Sequence, residues 1–157
     1  MTYSVTFADL QAQAAAVVAD EAAPDDIGSH LGAAFEEVAR IAAAQGVQLV
    51  GPPFARYHRG ADRWLFEAGF PVAGAVTPEG RVRPTSLPGG HVVWTTHAGR
   101  YEGLGSAYEA LSTCAIENGF ECLDGAWERY LDGPDVPMPR TEVFVPCRRV
   151  VPHVTTG

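Results

Sequence analysis

An α+β fold is what this sequence predicts: two tandem strand-helix-strand-strand modules related by a pseudo-twofold axis, their antiparallel sheets leaving a ligand groove between the halves. Three observations lead there. A shift of 73 residues superimposes Leu31-Gly32-Ala33-Ala34-Phe35-Glu36 on Leu104-Gly105-Ser106-Ala107-Tyr108-Glu109, Gly46 on Gly119, and Arg56-Tyr57 on Arg129-Tyr130. From Leu31 to Tyr57 that shift gives 8 identities in 27 positions, a fixed-offset similarity that marks a duplicated unit. Each copy carries apolar residues at three-four spacing, the pattern of one buried helical face, followed by short β-rich runs.

The elements follow in order. Tyr3 to Phe7 alternates aromatic or branched residues with Ser and Thr and reads as a strand. Ala14 to Ala19 fits helix by alanine content or buried strand by its flanks; strand is taken, because the matching place in the second copy is the β-rich run His91 to Thr96. Asp25 and Asp26 are N-cap candidates for a helix to about Gln45, with Leu31, Ala34, Phe35, Val38, Ile41 and Ala42 on its buried face and Gly46 ending it. Val47–Val50, Phe54–His58 and Trp64–Phe70 are the next strands, with a polar turn at 59–63. The Gly- and Pro-rich run 71–90 is the connection, with a strand expected around Gly74 to Thr77. The second copy then gives a strand at 91–97, a helix from about Tyr101 to Asn118 closed by Gly119, and strands at 120–123, 127–131 and 142–145. Residues 132–140 form a loop, and the chain after Cys147 is expected to fray. This organises residues 1–157 as one domain: module one at about 1–73, a linker at 74–90, module two at 91–150 and a tail at 151–157.

Composition excludes several functions. Net charge is −8, lysine is absent and the arginines are scattered, so no basic patch for nucleic acid is formed. No run approaches the length of a membrane span, no signal peptide is visible, and a cytoplasmic location is expected. Three cysteines, Cys114, Cys122 and Cys147, have no Cys-x-x-Cys spacing, and the five histidines lie far apart, so neither a metal nor another cofactor is expected.

Chemistry concentrates at Trp127-Glu128-Arg129-Tyr130, where a carboxylate interrupts an aromatic strand with Trp94, Tyr101, Tyr108 and Phe144 nearby in sequence. Strand alternation puts Glu128 and Tyr130 on one face and Trp127, Arg129 and Leu131 on the other. The more apolar set is expected under the helix, leaving Glu128 and Tyr130 on an open face. The same reasoning places Phe54 in the core and Ala55 and Tyr57 on the open face. If the two open faces meet across the pseudo-twofold, the cleft holds Tyr57, Tyr130 and a single acid, because Ala55 stands where Glu128 stands. Two readings of Glu128 remain at this point: an ion pair with Arg56 or Arg129 at a strand edge, or a counter-charge for a ligand cation walled by aromatics. His97 reads as a strand-end residue bonding backbone, or as a catalytic base lacking an evident nucleophile.

The stretches Gly51-Pro52-Pro53-Phe54-Ala55-Arg56-Tyr57, Glu67-Ala68-Gly69-Phe70-Pro71-Val72, His97-Ala98-Gly99-Arg100-Tyr101-Glu102-Gly103-Leu104 and Trp127-Glu128-Arg129-Tyr130 resemble the GyrI-like small-molecule-binding domains, the effector-binding domains of AraC-type regulators. The resemblance covers nearly the whole chain. It implies two strand-helix-strand-strand modules side by side, a ligand groove between them and a central acid matching Glu128. It also implies a choice of functions, since some members sense drugs within DNA-binding regulators, some stand alone and bind or sequester molecules, and some are reported to inhibit DNA gyrase. One branch hydrolyses cyclopropane-bearing genotoxic natural products with a Glu and a Tyr. These 157 residues contain no helix-turn-helix, so direct transcriptional control is not expected of them, and no feature points to gyrase. The expected ligand is a small amphipathic or cationic aromatic molecule, bound by Glu128, Tyr130, Tyr57, Trp94, Tyr101 and Phe144. If the protein is an enzyme, Glu128 is the general base and Tyr57 or Tyr130 the hydrogen-bond donor.

Overall fold

Four consecutive buried residues, Ala15-Ala16-Val17-Val18, show that the central sheet is covered on both faces. The structure is a computed structural model describing residues 3–58, 63–133 and 135–150. These contain β1 (Thr6–Leu10), β2 (Gln13–Ala22), α1 (Ile27–Gln45), β3 (Gln48–Leu49), β4 (Phe54–His58), β5 (Trp64–Ala73), β6 (Val82–Leu87), β7 (Gly90–Ala98), α2 (Leu104–Glu117), β8 (Phe120–Cys122), β9 (Trp127–Tyr130) and β10 (Arg140–Arg149). The fold is α+β, with two helices and one large antiparallel sheet ordered β1-β7-β10-β9-β4-β5-β2-β6, β3 joining β5 and β8 joining β10.

Both helices form as their spacing dictates. Ala34, Val38, Ile41 and Ala42 of α1, and Leu104, Ala107, Leu111 and Ala115 of α2, are the buried stripes. Gly46 ends α1 in the left-handed region, at φ 71, where its N–H reaches the Ala42 and Ala43 carbonyls. Asp25 and Asp26 do not cap α1 with their side chains; they belong to a 3-10 turn, Pro24–Asp26, that leads into it. The strand expected around Gly74 to Thr77 is absent, and the connection instead carries β6 (Val82–Leu87). As an edge strand paired only to β2, it tolerates Pro84, which cannot donate to a ladder. β10 runs on to Arg149, so the chain remains paired beyond Cys147. Residues 59–62 of the expected turn, Pro134 and the tail 151–157 lie outside the described residues.

The core falls into three clusters. Ala16, Val18, Ala55, Phe66 and Ala68 meet α1, and Val93, Val143, Val145 and Cys147 meet α2. The third cluster, on the face away from the helices, joins Ala15, Val17, Phe54, Leu87, Val92, Trp127 and Phe144 with Ala8, Leu10 and Trp94. Its members come from both ends of the strand order, so the sheet curls and buries that face against itself. This reverses the expected assignment of faces. Phe54 and Trp127 point into the curl, and Ala55, Tyr57, Glu128 and Tyr130 point to the side that carries the helices.

β4 and β9 are adjacent antiparallel strands of the same sheet, with Phe54 opposite Arg129, Ala55 opposite Glu128 and Arg56 opposite Trp127. The segments expected to face each other across a cleft are therefore edge-to-edge neighbours.

The β2–β5 pairing includes a tight backbone approach: a Cβ on Gly69 of β5 would lie 1.8 Å from the Ala16 carbonyl oxygen of β2. Gly69→Ala is expected to destabilise the fold by about 1–3 kcal/mol in urea denaturation, as overpacking does. Gly32→Ala, on the exposed face of α1 with no atom within 4 Å of the new Cβ, is expected to stabilise it by about 0.5–1 kcal/mol.

Candidate functional site

The register that puts Ala55 opposite Glu128 puts Tyr57 and Tyr130 on the same face, one on either side of that pair, and their long side chains lean together across it. Their hydroxyl oxygens are 2.9 Å apart. Tyr130 donates to Glu128 Oε1 at 2.8 Å, and Tyr108, from α2, donates to Oε2 at 2.6 Å. A hydroxyl has one hydrogen, so with Tyr130 committed to Glu128, Tyr57 must be the donor to Tyr130. The result is a relay from Tyr57 through Tyr130 to Glu128, completed from the other side by Tyr108.

Glu128 is only 7% exposed. Among the described residues no arginine or histidine bonds to it: Arg129 pairs with Glu142 at 2.7 Å, and Arg56 Nε donates to the Gly125 carbonyl. The edge ion-pair reading of Glu128 is thereby overturned. Burial raises its carboxyl above the ordinary 4.5, while the Tyr108 and Tyr130 hydrogen bonds, and then His97, pull it partly back. Burial first and the Glu128 charge second push Tyr57, Tyr108 and Tyr130 far above the ordinary tyrosine value, so all three remain protonated donors. His97 is buried, holding the Arg100 carbonyl through Nε2 and the Tyr3 hydroxyl through Nδ1, each at 2.9 Å, which is the backbone-bonding role.

A pocket of about 630 Å³ opens onto this group. Glu128, Tyr57 and Tyr108 form part of its lining; His58, Arg63 and Trp64 come from the β4 and β5 side. Ser112 of α2, Val145, and the segment Cys122 to Ala126 complete it. Trp64 is 47% exposed and stands edge-on to Tyr57, with ring centroids 5.5 Å apart, so the pocket has an aromatic wall next to its acid.

Of the six residues expected from sequence, Glu128, Tyr130 and Tyr57 come together. Tyr130 supports the acid without lining the pocket. Tyr101 packs edge-on against Tyr130 at 6.1 Å and also stays out of the lining. Trp94 and Phe144 stack with each other and Phe144 with Trp127, both at 5.4 Å, on the opposite face of the sheet. Strand alternation separates them from Glu128: Phe144 is in register with Trp127, and Val143 with Glu128. Sequence reasoning missed Tyr108 and Trp64. Tyr108 was marked by the repeat, because it replaces Phe35 at the same 73-residue shift at which Glu128 replaces Ala55. Trp64 begins a strand and carried no comparable signal.

Compared with known families, the chain matches the GyrI-like small molecule binding domain over residues 3–148. It belongs to that family. Among curated proteins no match is found. The GyrI-like fold is shared with the EcmrR C-terminal domain, at 21% identity and TM-score 0.76, covering 96% of this chain and 100% of that one. Within the EcmrR protein solved with DNA, the chain spans 58% of the length. A hydrolase from Listeria innocua matches at 13% identity and TM-score 0.65, covering 92% and 91%. SAV2435, solved bound to tetraphenylphosphonium, matches at 10% identity and TM-score 0.57, covering 94% of each chain. At these identities the likeness is one of fold.

Because the folded carboxyl of Glu128 holds its proton more tightly than the unfolded one, the native state binds more protons, and stability falls as pH rises from about 4.5 through the raised value. Glu128→Gln removes this dependence. The stability of the variant relative to the parent is therefore expected to grow with pH across that window in urea titrations. A difference constant with pH would contradict the assignment.

Proposed function

We propose that this GyrI-like domain binds a cationic or amphipathic aromatic small molecule in the pocket, with Glu128 as the counter-charge, in the service of sensing, sequestration or resistance. The observation that carries the reading is a buried carboxylate that lines the pocket and, among the described residues, is hydrogen-bonded by neutral tyrosine hydroxyls and by no cationic side chain. Such an anion gains most from a partner that brings its own positive charge and leaves water with it. Tyr57, Tyr108 and Trp64 add aromatic surface, which attracts a desolvated cation by about 0.5–2 kcal/mol. The tetraphenylphosphonium complex of SAV2435, a protein of the same fold, supports this ligand class.

The proposed domain spans residues 1–157 as two modules joined by the 74–90 connection, side by side in one sheet with their symmetry axis between Ala55 and Glu128. Two facts support this duplication: the β4–β9 register maps onto itself under the 73-residue shift, and Tyr57 meets its own counterpart, Tyr130. The groove is then asymmetric, since the Phe35 and Ala55 positions are apolar where Tyr108 and Glu128 are polar. No helix among the described residues is long and apolar enough to cross a membrane. Three free thiols suit the reducing cytosol expected for it.

Calorimetric titration with tetraphenylphosphonium tests the reading. Binding is expected to strengthen as pH rises through the Glu128 window, and Glu128→Gln to weaken it by about 1–3 kcal/mol, the scale of an interaction with a charged group. Equal affinity in parent and variant would sink the charge-selection proposal.

A second reading, hydrolysis of cyclopropane-bearing electrophiles, is favoured by the same raised carboxyl, since a base poised nearer neutrality activates water more effectively. Glu128 would take the proton from water, and Tyr57 or Tyr108 would hydrogen-bond the substrate oxygen on which charge develops, with Tyr130 orienting the base. Mass spectrometry of such a compound incubated with the protein would then reveal a product of added water that Glu128→Gln does not form. Unchanged compound with both proteins would leave binding alone.

A further inference from the structure

The wall of the pocket formed by residues 122–126 begins at a cysteine, and a second cysteine stands directly across from it. Cys122 on β8 is in register with Cys147 on β10. Neighbouring bonds identify the kind of pair. The Leu123 N–H donates to the Pro146 carbonyl and the Val150 N–H to the Gly119 carbonyl, both at 2.8 Å. Hydrogen-bonded positions alternate along an antiparallel ladder, so Cys122 and Cys147 occupy a non-hydrogen-bonded position. There the Cα atoms are about 4.5 Å apart, inside the span of about 4.4–6.8 Å that a disulfide accepts. Residues directly opposite share a face, and here it is the one covered by α2: Cys147 packs with Leu111 and Ala115, and Cys122 lines the pocket together with Ser112 of α2. Both thiols are free, Cys122 exposed and Cys147 buried beneath it. Cys114 is engaged on its own helix, where Asn118 Nδ2 reaches its sulfur at 3.6 Å.

We propose that Cys122 and Cys147 form a redox modification site that closes into an intrachain disulfide and fixes one wall of the ligand pocket. The co-reactant is a peroxide. The accessible Cys122 sulfur attacks it, the O–O bond breaks, and sulfenic acid and one water result. Cys147 sulfur then attacks Cys122 sulfur; the S–S bond forms, the S–O bond breaks, and the oxygen leaves as a second water carrying the thiol proton. The two sulfurs are together oxidised by two electrons and the peroxide is reduced by two. Burial pushes both thiols above the ordinary cysteine value, so thiolate is scarce near neutrality and closure accelerates with pH. The bond would tie the segment from Cys122 to Ala126, held in part through β8, to the long central strand β10. The thiol pair stands independently of what the pocket takes.

The test is hydrogen peroxide treatment of the full chain, alkylation of the remaining thiols, and cleavage after arginine. The peptides 101–129 and 141–148 are expected to appear joined, two hydrogens lighter than their sum, with one alkylated thiol left of three. The first peptide holds both Cys114 and Cys122. The joined species must therefore persist in Cys114→Ser and vanish in Cys122→Ser, a change at an exposed position. Amide hydrogen exchange in 119–126 should slow in the oxidised protein and recover on reduction. Three alkylated thiols after peroxide, a link that survives in Cys122→Ser, or a link only between chains would overturn the site. Unaltered exchange in 119–126 would overturn its effect on the wall.

Discussion

The structure depends on one unusual arrangement, a buried carboxylate satisfied by two tyrosine hydroxyls. An ionised carboxylate taken out of water costs several kcal/mol unless it is compensated. Tyr108 and Tyr130 compensate Glu128 in part, with short charge-assisted hydrogen bonds of 2.6 and 2.8 Å. They supply no positive charge. What remains is an anion whose geometry is fixed, since its two donors come from α2 and from β9 itself, and to which no cationic side chain among the described residues hydrogen-bonds. On the proposed reading the pocket is preorganised for a cation, because the acid does not have to be reoriented when the ligand arrives.

The sheet makes this arrangement possible. Adjacent antiparallel strands β4 and β9 place Ala55 against Glu128 and bring Tyr57 to Tyr130. The curl of the sheet hides the large aromatics Trp127, Phe144 and Phe54 on the inner face, so the helix-bearing face can carry polar side chains without exposing the core. Small residues matter there. Ala16, Ala55 and Ala68 under α1 are fully buried, while Tyr108 and Glu128, which the 73-residue shift aligns with Phe35 and Ala55, meet at α2. Two polar residues 20 apart in sequence thus meet as one hydrogen bond.

Much of this was legible in the sequence. The helices, their buried stripes, Gly46 as a left-handed stop and the existence of most strands follow from spacing and backbone chemistry. The candidacy of Glu128 followed from its place in an aromatic strand and from the alanine, Ala55, that the 73-residue shift aligns with it. The face assignment was not legible, because the rule that a helix covers the more apolar set presumes a sheet with one covered face. Here both are covered, and Trp127 is buried by the curl, a long-range feature that no local pattern records. Trp94 and Phe144 were misplaced for the same reason. β6 escaped notice because Pro84 argues against a strand anywhere except at an edge, and edge position is decided by topology.

Whether Glu128 is a buried acid that a cation can match is read from its side-chain carboxyl signal in the ¹³C NMR spectrum as pH is varied, with and without tetraphenylphosphonium. The midpoint is expected above the ordinary glutamate value of 4.5 in the free protein, falling toward or below it in the complex. A free-protein midpoint at or below 4.5, or one that the cation does not move, would contradict that reading.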